Sequence, residues 1–236
     1  MSTSIVPTWS LSSETYVFDS TPSSDDAWLV NDSGFDNYCR CARIRPKRGG
    51  LRAIIESTIG YDPANIGVDL AGGENGQALQ DLLELGIIGK ALLTTYEDRR
   101  SPETADNTLI DHIAGNLVLP DTWKRIIAWR KSHAPDGLAL VMHRPVGALQ
   151  NLPPSAYIGM ANIVLDNIRP GGVFFTQVPL ALYGPSWRGA CEAVRQRTDL
   201  ASITLGKYEP LIYAAITKDT DPHRSARPTN SKPNLN

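Results

Sequence analysis

The sequence predicts an α/β domain built on a mostly parallel sheet, and three observations carry that expectation. Short β-rich runs alternate with helical stretches of ten to fifteen residues, the pattern of parallel strands joined by right-handed crossovers. The first buried run, "IGVDL", stops in a turn that holds three glycines, "AGGENG". Such a turn leaves no Cβ between backbone and ligand, and the turn after the first strand of an open parallel sheet is a common nucleotide cradle. The last two β-rich runs, "ASITLG" and "EPLIYAAITK", are joined by a short connection instead of a helix.

The elements follow in order. Residues 1 to about 37 are rich in Ser, Asp and Thr with scattered aromatics (Trp9, Tyr16, Phe18, Trp28, Phe35) and read as an irregular arm that packs down. "LRAIIESTI" puts Leu51, Ile54, Ile55 and Thr58 on one helical face, and "GYDPAN" ends it. "IGVDL" is a buried strand. After the glycine turn, Leu79, Leu82, Leu83 and the closing Gly86 spell an amphipathic helix with its C-cap. "KALLTTY" is the second strand and "TLIDHIAGNL" contains a weaker third. "PDTWKRIIAWRKSHAP" opens on a helix-starting proline and repeats Trp123, Ile126, Ile127 and Arg130 at helical spacing. "GLALVMH" is a strand, "PSAYIGMANIVLDNI" a helix broken by "RPGG", and "GVFFTQV" the next strand. "PSWRGACEAVRQRTD" reads as a helix before the final pair. The tail from Asp219 carries three prolines and no large aliphatic residue before Leu235, and reads as disordered. The division is an N-terminal arm or cap over 1–50, a core domain over 51–218 and a tail over 219–236.

Totals narrow the function classes. A length of 236 residues suits one such domain with additions at its ends. No apolar run approaches the ~20 residues that span a bilayer, and "MSTSIVPTWSLSSETY" lacks the basic start and apolar centre of a secretion signal. A cytoplasmic location is the expectation. A formal charge of -2 argues against a nucleic-acid protein held mainly by phosphates. Cys39 and Cys41 in "CRC" are too few for a zinc site, and no metal is expected. Residues 1 to 39 contain no Lys or Arg, whereas "RCARIRPKRGGLR" packs six basic residues into thirteen, either a solvated face or a clasp for an anion.

Two glycine spacings fit the turn. Ala71, Gly73 and Gly76 approximate the dinucleotide signature G-x-G-x-x-G. Ala71, Gly73 and Asn75 approximate G-x-G-x-G preceded by an acid. Asp69 favours the second, since a carboxylate at the strand end accepts from an ammonium group but repels a pyrophosphate.

"VDLAGGENG" resembles the first motif of the class I S-adenosylmethionine-dependent methyltransferases. "LDNIRPGGVFF" resembles that family's "LKPGG" turn before the fifth strand, and "ASITLGKYEPLIYAAITK" resembles its terminal antiparallel pair. The resemblance runs over residues 65 to 217. It implies a Rossmann-like three-layer sandwich with a seven-stranded, mostly parallel sheet ending in an antiparallel pair, and S-adenosyl-L-methionine as cofactor. By position it implies that Asp69, Ala71, Gly72, Gly73 and Asn75 border the methionine and ribose. It also implies that Glu97 or Asp98 holds the ribose diol, the interval from the glycine turn being several residues longer than usual, and that Asn116 receives the adenine amine. Asn116 as a plain turn cap is the other reading.

The end of the fourth strand faces the methyl group in that fold, and "LVMHRPV" puts His143 and Arg144 there. His143 has the pKa range of a general base and Arg144 suits an anionic substrate; a structural strand-end histidine and a loop-closing arginine are their other readings. Tyr183 and Trp187, with Trp9, Tyr16 and Trp28 of the arm, either roof an apolar acceptor or pack on the sheet. Phe35 to Arg52, with Arg45 and Arg48, stands where a segment closing over the cofactor is expected. The absence of N-P-P-[YF] after the fourth strand lowers nucleic-acid and protein amino groups as acceptors. The expectation is therefore transfer to an oxygen or nitrogen of a small molecule. RNA or protein methylation, an S-adenosylmethionine-binding protein without transferase activity, and a nicotinamide-dependent reductase are the alternatives; the last lacks a Tyr-x-x-x-Lys relay.

Overall fold

The computed structural model describes residues 34–44, 49–117, 119–144, 154–178, 194, 196–208 and 211–221. Its elements run α1 (Phe35–Ala42), α2 (Gly50–Ile59), β1 (Ile66–Leu70), α3 (Gln77–Glu84), β2 (Lys90–Thr95), α4 (Pro102–Ala105), β3 (Ile110–Ala114), α5 (Pro120–His133), β4 (Leu138–His143), α6 (Pro154–Asn167), β5 (Ile168–Val178), β6 (Leu200–Tyr208) and β7 (Leu211–Lys218). Aromatics of the N-terminal arm up to Trp28, the pair Arg45 and Arg48, the loop aromatics Tyr183 and Trp187, and the helix expected before β6 lie outside the described residues, apart from short stretches of that helix.

Seven strands form one sheet in the order β3-β2-β1-β4-β5-β7-β6. The first five are parallel, and β7 pairs antiparallel with both β5 and β6. The chain thus passes from β5 to the far edge and returns inward as β7, which the short β6–β7 connection permits. Order reverses between β1 and β4, the switch point at which open α/β sheets leave a crevice beyond their carboxyl ends.

Alternation of side chains divides the core in two. Val68, Leu92, Val141 and Phe174 face α5 and α6, where Trp123, Ile126, Met160 and Val164 meet them. Leu93, Leu140, Met142, Phe175 and Tyr213 face α1, α2 and α3, meeting Phe35, Tyr38, Leu51, Ile55, Leu79 and Leu82. Each such burial removes apolar surface worth about 1.5–3 kcal/mol. Helices cover both faces, making three layers.

Three expectations change. The segment read as an irregular arm up to residue 37 is helical from Phe35, because Phe35, Tyr38 and Ala42 recur at helical spacing and are all fully buried. A helix of eight residues gains little from its own hydrogen bonds, so packing holds it. The second change is α4, an extra short helix between β2 and β3 that begins at a Ser101 cap, whose Oγ accepts from Thr104 N–H at 3.3 Å. Third, "RPGG" does not break the chain before the fifth strand but lies inside β5. A Cβ on Gly172 would stand 2.9 Å from the Leu138 carbonyl oxygen and 3.0 Å from that of Ala139. The glycine pair therefore lets β5 run close against β4 through the register shift between Leu138 and Leu140.

Candidate functional site

The site gathers at the carboxyl ends of β1, β2, β3 and β4. Asp69 is buried beside Leu70 at the end of β1. Its Oδ2 accepts from the Tyr38 hydroxyl of α1 at 3.1 Å. Arg144 lies over the ring of the same tyrosine, its Cζ 5.0 Å from the centroid, and Tyr38 leans on Phe175. The N-terminal helix is thus joined to the sheet at the acid that precedes the glycine turn.

The turn then folds back over that acid. Ala71 has φ 60°, the left-handed region that a side chain adopts at a cost. Thr94 of β2 holds it there: its Oγ1 accepts from Ala71 N–H at 3.2 Å and donates to the Asp69 carbonyl at 3.3 Å. A Cβ on Gly72 would stand 2.6 Å from Leu93 Cδ1 and 3.0 Å from the Asp69 carboxylate, so a larger residue there must displace one of those side chains. Gly73 accepts from Gly76 N–H, and Gly76, at φ 58°, starts α3. Asn75 points its amide oxygen at Ser101 N–H (3.1 Å) and the Thr104 hydroxyl (3.3 Å), which ties the turn to α4.

Beyond β2, Glu97 and Asp98 are both exposed, but their surroundings differ. Arg100 donates to both oxygens of Asp98 at 2.9 Å, and His112 Nδ1 lies 3.5 Å from Oδ2. The Arg100 guanidinium holds the Asp98 carboxyl well below the usual carboxylate range. Arg99 donates to Oε2 of Glu97 at 3.3 and 3.4 Å. His112 also meets Thr95 Oγ1 at 2.7 Å, and burial, then Arg100, lowers its pKa. Asn116 stands two residues beyond β3, where its carbonyl accepts from Leu119 N–H.

His143 and Arg144 flank the end of β4 from its two faces. As consecutive residues at a strand end they point to opposite faces: Arg144 toward Tyr38, His143 toward the α6 side. His143 is fully buried, and burial pushes its pKa down to about 3. Its Nδ1 meets Thr176 Oγ1 at 3.2 Å.

Several residues of the site gave no sequence signal or a faint one. Thr94, Thr95 and Thr176 look like ordinary strand residues, and only their position at strand ends marks them. Tyr38 had a legible cue in its three-residue spacing from Phe35. Cys39, half-buried against the core, has its thiol pushed up to about 12, chiefly by burial.

The described acceptors at this edge are carboxylates at the ends of β1 and β2 and an amide beyond β3. S-adenosylmethionine offers complementary donors in its ammonium, its ribose diol and its adenine amine. The donor chemistry therefore fits that cofactor, whereas the carboxylates suit a pyrophosphate poorly.

No family model matches the sequence, and no curated protein matches it. Among solved structures, it is similar to an rRNA methylase from Streptococcus thermophilus, 13% identical, over 70% of this chain and 92% of that one, with a TM-score of 0.47. A protein described as a methyltransferase from Streptococcus mutans, in complex with SAH, is 13% identical over 70% and 93%, at a TM-score of 0.46. Spermidine synthase from Thermotoga maritima is 14% identical over 74% and 61%, at 0.42. At such values the fold assignment rests on the strand order itself: five parallel strands wound both ways from β1, an inserted antiparallel return, and helices on both faces make a Rossmann-like three-layer sandwich.

Proposed function

We propose that the chain is an S-adenosylmethionine-dependent methyltransferase acting on an oxygen or nitrogen of a small molecule. The observation that carries the reading is the buried Asp69 carboxylate at the β1–β4 switch point, covered by a glycine turn whose residue 72 sits tight against Leu93 and that carboxylate. Asp69 takes the cofactor's ammonium group. The backbone of Ala71, Gly72, Gly73 and Asn75 passes the methionine and ribose. Glu97 takes the diol, because both oxygens of Asp98 are already held by Arg100, and Asn116 takes the adenine amine.

When bound, the cofactor supplies an electrophilic methyl group on a sulfonium. The chain's own part is alignment of an acceptor at the end of β4. Arg144, its guanidinium over the Tyr38 ring, holds an anionic group of that acceptor. His143 is too poor a base to be charged near neutrality, so its part is to orient the acceptor. A net charge of -2 and a sequence pI of about 6.1 favour a small acceptor over a polynucleotide. Residues 1–50 serve as the cap of a domain spanning 51–218, with 219–236 as a tail. Among the described residues no helix is long and apolar enough to cross a membrane.

Calorimetry with S-adenosylmethionine, S-adenosylhomocysteine and NAD tests the cofactor, and binding of NAD alone would overturn the reading. Methyl incorporation from labelled cofactor into a metabolite extract, total RNA and total protein then tests the acceptor. Incorporation confined to RNA or protein would replace the small molecule, and binding without incorporation would leave a non-catalytic protein.

A further inference from the structure

The ends of β4 and β5 bring one hydroxyl between two polar atoms. Thr176 Oγ1 lies 3.1 Å from the Gln177 carbonyl oxygen and 3.2 Å from His143 Nδ1. A hydroxyl carries a single proton, and a carbonyl oxygen can only accept. Both contacts are made together only when that proton goes to Gln177 and Nδ1–H donates to Oγ1. Burial keeps the imidazole neutral, with one N–H to place. With that hydrogen on Nδ1, Nε2 is a bare acceptor. It is buried and has no hydrogen-bond partner among the described residues. Buried polar atoms in folded proteins are almost always partnered, so an unmet one marks a place where a ligand group or a water completes the pairing.

The location suits a ligand group. His143 is paired in register with Leu70 on one side and Thr176 on the other, one strand-neighbour from the start of the glycine turn. It stands at the carboxyl edge, where the crevice of this fold opens.

We propose that Thr176 is a positioning residue, fixing the Nδ1–H tautomer of His143 so that Nε2 accepts a hydrogen bond from the O–H or N–H of the methyl acceptor. The hydrogen bond holds that group while leaving the lone pair on its oxygen or nitrogen free to face the electrophile. The tautomer rests on the Thr176 contacts and the burial of the ring, whereas the ligand rests on the methyltransferase reading.

The test uses full-length protein with nitrogen-15 in its histidine rings, and multiple-bond proton–nitrogen spectra assigned with His143→Gln. The expected wild-type ring is protonated at Nδ1 and bare at Nε2. Thr176→Ser keeps that pattern, and the near-isosteric Thr176→Val loses it. In parallel, methyl incorporation from labelled S-adenosylmethionine into a metabolite extract falls by about tenfold or more in Thr176→Val and recovers in Thr176→Ser, the size expected when one positioning contact is lost. S-adenosylhomocysteine affinity stays unchanged in both. A wild-type ring protonated at Nε2, or full methyl incorporation by folded Thr176→Val, overturns the proposal; if that variant fails to fold, the wild-type spectrum and the serine variant decide. A wild-type protein that binds no S-adenosylhomocysteine removes the methyltransferase reading, and the spectra still judge the tautomer.

Discussion

The Tyr38 hydroxyl donates to Asp69 Oδ2 at 3.1 Å, and both side chains are buried. This bond joins a two-turn helix ahead of the core to the acid that governs the glycine turn. Tyr38→Phe keeps the ring against Phe175 and Arg144 but leaves a buried carboxylate oxygen short of a donor. Loss of a hydrogen bond to such a group costs about 1.5–3 kcal/mol. Chemical denaturation should show that loss, together with weaker S-adenosylhomocysteine binding. A change below ~0.5 kcal/mol, the range of an ordinary surface substitution, would mean the contact is incidental.

Ala71 pays for its left-handed backbone, φ 60°, with strain that a glycine would not carry. Ala71→Gly should leave stability unchanged or raise it by up to about 1 kcal/mol, since the relief of ~1–2 kcal/mol is partly offset by greater freedom of the unfolded chain. Ala71→Val should destabilise by more than Ala71→Gly stabilises, because a β-branched residue fits that region worst. Thermal unfolding of the three proteins gives the ranking, and a valine variant as stable as wild type would contradict the turn as described.

Glu97 and Asp98 separate by their partners. Glu97→Gln should weaken S-adenosylhomocysteine binding by about tenfold or more, the scale of a charge-assisted hydrogen bond of ~1.5 kcal/mol or above. Asp98→Asn should change it less, because Arg100 already occupies both oxygens. Calorimetry giving the opposite order would move the diol to Asp98.

His143 makes stability depend on pH in a known direction. Its folded pKa, about 3, lies below the ordinary value near 6.5. Between those values the unfolded chain binds a proton that the native chain does not, so stability is greatest above pH ~6.5 and falls as pH drops, by at most ~1.4 kcal/mol per pH unit from this group. Denaturation midpoints measured between pH 7 and pH 4.5, above the range of the Asp98 carboxyl, should decline in wild type and decline less in His143→Gln. Parallel slopes would show that the ring is not buried in solution.

The strands were legible in the sequence because their apolar runs are short, β-rich and bounded by helical periodicity. Asp69 was legible because an acid closes such a run directly before glycines. Tyr38 was not placed although Phe35, Tyr38 and Ala42 repeat at helical spacing: two turns inside a polar segment are too short to stand out, and its role exists only once α1 meets β1. Thr94 and Thr176 are invisible for a related reason, since threonine is common in strands and nothing local tells which hydroxyl will hold a turn or a ring. "RPGG" misled in the opposite way. Its proline and glycines look like a local turn, yet they answer to the carbonyls of β4 on a neighbouring strand.

Just past α1, Ile44 forms an isolated antiparallel bridge with Gly206 on β6, the outermost strand of the sheet. The helix that reaches Asp69 is therefore moored to an edge strand from near the other end of the described chain. Pairings between such distant segments form late, because closing long loops is entropically costly. Loop-closure entropy predicts an order of assembly: the central strands and the glycine turn come together first, and the seat of Tyr38 is finished when the terminal hairpin docks.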